Sequence, residues 1–100
     1  MIKHIVMWNF ADRAADADKA TNLKLAADRL NALAGAVPGM LSLEAVVPTA
    51  PFEHSFDLVL YSEFETAAAL HSYATHPDHV VVAQFIAQTR TERVCVDYEL

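Results

Sequence analysis

Apolar residues occupy both alternating faces of the first stretch, "IKHIVMWNF" (2–10). Ile2, His4, Val6, Trp8 and Phe10 share one face, and Lys3, Ile5, Met7 and Asn9 the other. This predicts a β-strand covered on both sides. The period then lengthens. Over 16–39, Leu23, Ala26, Ala27, Leu30, Leu33 and Ala34 recur at three- and four-residue spacing. That stripe predicts an amphipathic helix, with Gly35 as a left-handed C-cap and Pro38-Gly39 closing the turn.

Two further strands follow at 40–48 and 56–64, separated by the polar, proline-containing connection 49–55. In the second, Phe56, Leu58, Leu60 and Ser62 oppose Asp57, Val59, Tyr61 and Glu63. Helical spacing returns at 66–75, with Thr66 placed to cap it. Pro77 disfavours helical geometry at His76 but suits the first turn of a new helix, 77–89. A last strand spans 90–100, with Val94, Val96 and Tyr98 opposite Arg93, Cys95, Asp97 and Glu99.

The predicted order is β-α-β-β-α-β with the second helix broken. This is an α+β, ferredoxin-like sandwich with a four-stranded antiparallel sheet, in one domain over residues 1–100. Helices cover only one face of such a sheet. The other face here is also apolar, so it is expected to meet the same face of a second copy, giving a homodimer and a dimeric α+β barrel.

Composition supports a partner. The chain is 54% hydrophobic and only 20% charged, and a chain this short buries only about two-thirds of its unfolded surface. The formal charge is −6 and the seven Lys and Arg are scattered, which argues against nucleic-acid binding. A single cysteine, Cys95, excludes an intrachain disulfide, and it is expected to pack rather than react. No stretch is long enough to span a membrane and no signal peptide is evident, so a cytoplasmic protein is expected.

The chemistry concentrates in "HSYATHPDHVVV" (71–82), which holds His71, Tyr73, His76 and His79. His76 and His79 have a spacing that can suit a metal. However, Pro77 interrupts the helix between them and no Cys or Glu completes a zinc set, so no metal site is expected. His71 and His54 are expected at the surface.

Four segments together, "IKHIVMWNF", "FDLVLYSEF", "YATHPDHV" and "RVCVDYE", resemble the stress-responsive A/B barrel (Dabb) family along essentially the whole chain. The most specific piece is Tyr-x-x-His-Pro-x-His-Val. The resemblance implies a dimeric α+β barrel. It implies no single reaction, since many members have no assigned activity and some plant members are known chiefly as stable stress-associated proteins. The family includes a polyketide cyclase of the olivetolic acid cyclase type, which closes a linear poly-β-ketone. Its catalytic Tyr and His correspond to Tyr73 and His79, and a cleft His corresponds to His4. Another cleft His is replaced here by Asp57.

Aldol closure needs a base near neutral pH and a donor for the developing enolate. His79 suits the first role and Tyr73 the second, provided the helix break folds them together. Trp8, Asp57, Tyr61 and His76 are candidate pocket-lining residues. No cofactor is expected, and the ligand would be a small apolar or carbonyl compound. The reading is thus a cyclase, lyase or isomerase. A non-catalytic ligand-binding dimer, in which Tyr73, His76, His79 and His4 are structural, stands beside it. Cofactor-free oxygenase chemistry, as in related dimeric barrels, is a third reading.

Overall fold

The computed structural model describes residues 1–49, 52 and 55–100. His54, expected at the surface, lies outside the described residues. The elements run β1 (Ile2–Phe10), β2 (Arg13–Ala14), β3 (Ala17–Asp18), α1 (Lys19–Asn31), β4 (Met40–Val46), β5 (Leu58–Phe64), α2 (Ala67–Thr75), α3 (Pro77–Thr89) and β6 (Arg90–Glu99). The main sheet is antiparallel in the order β4-β5-β1-β6. This is the ferredoxin-like α+β fold expected from the pattern.

The two faces of β1 separate as the alternation requires. Ile2, Val6, Trp8 and Phe10 are buried against the helices, while Ile5 and Met7 are only half-buried on the bare face. Leu58, Leu60 and Phe64 extend the buried face through β5. Leu23, Ala26 and Leu30 of α1, with Val82 and Ile86 of α3, close the core from above. The outer strand β6 has almost no covered position. The helices therefore roof three strands and leave the helix-side face along β6 open.

Several boundaries differ from the sequence expectation, with β4 ending at Val46 rather than 48 and β6 at Glu99 rather than 100. First, α1 begins at Lys19 rather than 16, because a hairpin precedes it. Ala15 and Asp16 both adopt positive φ (49° and 60°), the pairing that a two-residue primed turn needs. Asp18 then caps α1, accepting from the Thr21 N–H at 2.8 Å. Second, α1 stops at Asn31 and not near Gly35. The Asn31 side chain donates to the Ala45 carbonyl and accepts from the Ala45 N–H, both at 2.9 Å. It thereby fills the open edge of β4. Gly35 still takes a left-handed conformation, φ 77°, but past the helix end. Third, β5 begins at Leu58 rather than 56.

Candidate functional site

The helix break builds the site. Pro77 lacks an N–H, and His76 adopts an extended backbone (φ −61°, ψ 134°) between α2 and α3. The His76 ring caps the new helix, with Nδ1 accepting from the Asp78 N–H at 3.1 Å. Asp78 is therefore not available to the Ala74 carbonyl, its ordinary helical acceptor. His79 takes its place: its Nδ1 lies 2.9 Å from the Ala74 oxygen. A carbonyl only accepts, so Nδ1 carries the proton and Nε2 is left with a free lone pair.

The break also turns Tyr73 toward His79. Their ring centroids are 4.6 Å apart, and Tyr73 lies 6.4 Å from His4 and 5.4 Å from Phe64. Tyr73 is only 1% exposed, and its hydroxyl has no hydrogen-bond partner among the described residues. Burial pushes its pKa up to about 12, so the phenol stays protonated. Burial, ahead of the nearby His4, Arg93 and His76 charges, pushes the His79 pKa below its usual 6.5, and the Ala74 carbonyl partly opposes this. His79 is thus a neutral imidazole at neutral pH, chiefly because of desolvation.

His4 reaches the same place from β1. Its Nδ1 meets the Asp97 carboxylate on the facing strand β6. This fixes the ring in the way that carboxylates orient imidazoles elsewhere. Cys95 completes a small cluster, its Sγ 3.8 Å from His4 Nδ1 and 3.7 Å from Asp97 Oδ1. His4, Cys95 and Asp97 each offer one donor, all within 4.8 Å of one another, so this trio could hold a divalent cation. Cys95 was expected to pack, yet it is exposed and has an imidazole beside it. Partial desolvation and the Asp97 charge raise its pKa, which keeps the thiol protonated.

A cavity of about 170 Å³ opens between the sheet, α1 and α3. Val6, Trp8, Leu30, Leu60 and Ile86 make its apolar wall. His4 and His79 contribute imidazoles, and Arg90 and Arg93 contribute guanidiniums. Of the residues expected around a pocket, Trp8, His4 and His79 line it. Tyr73 stands behind His79.

The other three candidates lie elsewhere. Tyr61 points to the bare face of the sheet, where its hydroxyl donates to Glu63 at 2.9 Å and Lys3 lies 5.6 Å from its ring. Its place in the alternation of β5 forces this. Asp57 clamps the end of β1 by accepting from the Phe10 N–H at 2.9 Å, with Lys19 3.4 Å away. His76 is spent on its cap. Sequence reading missed Asp97, Arg90 and Arg93, which reach the site only through strand pairing.

Residues 2–100 match the stress responsive A/B barrel domain (Dabb). The chain belongs to this family. This Dabb chain is 31% identical to a dimeric protein of unknown function with a ferredoxin-like fold from Bacteroides fragilis. The match covers 99% of this chain and 95% of that one, with a TM-score of 0.84. A dimeric ferredoxin-like protein of unknown function from Thermobifida fusca superposes with a TM-score of 0.85 at 20% identity, covering 99% and 90% of the two chains. The hydroxynitrile lyase of Passiflora edulis shares the fold at 14% identity, with a TM-score of 0.77 and coverage of 99% and 92%. No curated protein is significantly similar to this Dabb chain in sequence.

Proposed function

We propose that this Dabb protein is a homodimer whose cavity performs proton transfer on a small carbonyl compound, as a cyclase, lyase or isomerase. The observation that carries the reading is the His79–Tyr73 contact. It joins a neutral imidazole with a free Nε2 to a protonated, unpartnered phenol. In this reading His79 Nε2 removes a proton from the carbon next to a carbonyl. The C–H electron pair moves onto the carbonyl oxygen, and the Tyr73 hydroxyl donates to that enolate. Tyr73 does not line the cavity, so this donation requires the His79 ring to shift and open the buried hydroxyl to the carbonyl. The His79 imidazolium then returns the proton it removed, and His4, held by Asp97, lines the same cavity. In a poly-β-ketone the enolate carbon would attack a second carbonyl and close a ring. One protein of the same fold, from Passiflora edulis, is a hydroxynitrile lyase.

The dimer reading rests on the bare sheet face. Ile5, Met7, Val94 and Val96 line a shallow apolar depression there, with Val96 51% and Tyr98 41% exposed. The Bacteroides and Thermobifida neighbours are themselves dimeric.

Hydrogen–deuterium exchange at the α-carbons of cyclohexanone in D₂O, followed by NMR, tests the chemistry. The wild-type protein should accelerate exchange, and His79→Gln should lose about a hundredfold or more of that acceleration. Equal rates with and without the protein, or an unaffected His79→Gln variant, would favour a ligand-binding dimer without catalysis.

A further inference from the structure

Arg90 and Arg93 take no part in the proton chemistry, yet both line the cavity. They are three residues apart on one strand, and strict alternation would send them to opposite faces. A bulge cancels that. Phe10 pairs with Arg90 and Asn9 with Glu92, so Thr91 is the extra residue, while Trp8 pairs with Arg93. Phe10 and Trp8 share the buried face of β1. Both arginines therefore leave the sheet on the helix side. Bulges commonly re-aim side chains beside functional sites.

Neither guanidinium pairs with a carboxylate among the described residues. Six of the described carboxylates, Asp12, Asp28, Asp57, Glu63, Asp78 and Asp97, are matched instead with Lys3, His4, Lys19, Lys24 and His76. In a chain with formal charge −6, two of only seven Lys and Arg are placed at one cavity. The surface between them and the imidazoles is apolar, running along Val6, Trp8 and Leu60. A bare inorganic anion would have no use for that wall. An apolar molecule without charge would make no use of these two exposed cations. A small organic acid satisfies both, because guanidinium groups hold carboxylates through paired, charge-assisted hydrogen bonds.

We propose that the cavity binds a small apolar carboxylate, its acid group held by Arg90 and Arg93 and its carbon chain lying along Val6 and Trp8 toward His4 and His79. Combined with the proton-transfer reading, on which this step rests, the substrate is a keto acid. The carboxylate is the handle and the carbonyl-bearing end is the reacting end.

Trp8 is the chain's only tryptophan and lines the cavity, so its fluorescence reports occupancy. The probes are hexanoate, hexanamide and inorganic phosphate, titrated into the full-length protein at low salt and again in about 0.5 M sodium chloride. Hexanoate should bind about tenfold tighter than hexanamide at low salt and lose most of that advantage at high salt. The double variant Arg90→Gln/Arg93→Gln should bind both probes alike while keeping its melting temperature. The proposal is overturned by equal affinities for acid and amide in the wild type. It is also overturned by phosphate competing as well as hexanoate, by a preference that survives in the double variant, or by no response to either organic probe. His79→Gln separates the two readings. Acid preference without ketone exchange would remove the chemistry and leave the anion site, whereas exchange without acid preference would remove only the anion site.

Discussion

At the scale of single residues, Tyr73 makes the sharpest demand. A buried hydroxyl with no partner costs about 1–3 kcal/mol, and none of the described residues compensates for it. Tyr73→Phe should therefore leave the protein as stable or raise its melting temperature by about 4–8 °C, while cutting ketone exchange. Thermal unfolding followed by circular dichroism checks this, and a drop of several degrees would mean that the hydroxyl is structural. His79 carries a pH signature. Its folded pKa lies below 6.5, so the basic form persists to lower pH than in a free imidazole. Exchange activity should be level around neutrality and fall only below pH 6.5. Stability has the same sign. The unfolded chain binds the proton first, so the contribution of His79 is complete above 6.5 and is lost as the pH falls to the folded value. His79→Gln should flatten that part of the stability profile relative to the wild type, and an unchanged slope would contradict the buried, neutral imidazole.

At the scale of elements, breaks matter more than regular spans. The α2–α3 break was legible in the sequence, because Pro77 leaves few options for His76 and the helical spacing resumes after it. The β2–β3 hairpin was not. Its turn uses Ala15 and Asp16, whereas the strong signal for a primed turn is Asn-Gly or Asp-Gly. The early end of α1 was also hidden, since the side chain of Asn31 is satisfied by β4, a partner far along the chain. Gly39 shows how tightly α2 sits on the sheet. Its φ is 86°, and a Cβ there would lie 2.8 Å from the Ala69 Cβ. Gly39→Ala should destabilise the fold by roughly 2 kcal/mol, the usual range for a non-glycine residue forced into strained backbone plus a close contact. Urea unfolding gives the measurement, and a change under about 0.5 kcal/mol would show that the loop relaxes freely.

At the scale of the molecule, the two faces of the sheet have different fates. One is roofed by helices and holds the cavity. The other keeps Met7, Val94, Val96 and Tyr98 at an open surface. An acidic residue on that face should be costly only if a partner covers it. Val96→Glu should convert a dimer to a monomer in light scattering, with the chain still folded by circular dichroism. A wild-type protein that already scatters as a monomer at micromolar concentration would remove the dimer reading.

The sequence by itself determined the sheet, its helices and the broken second helix, because period, proline and cap residues act locally. It also brought Tyr73 and His79 forward as a pair, since both lie within one turn of the same break. Asp57, Tyr61 and His76 lie away from the cavity of the single chain, and the sequence could not reach Asp97, Cys95, Arg90 or Arg93 as parts of a site. Those positions depend on which β6 residue faces which β1 residue, and on a one-residue bulge that reverses a side chain's direction. Strand register is fixed by contacts between residues some ninety positions apart in the chain, so only the tertiary structure decided which charges share the cavity with the imidazoles.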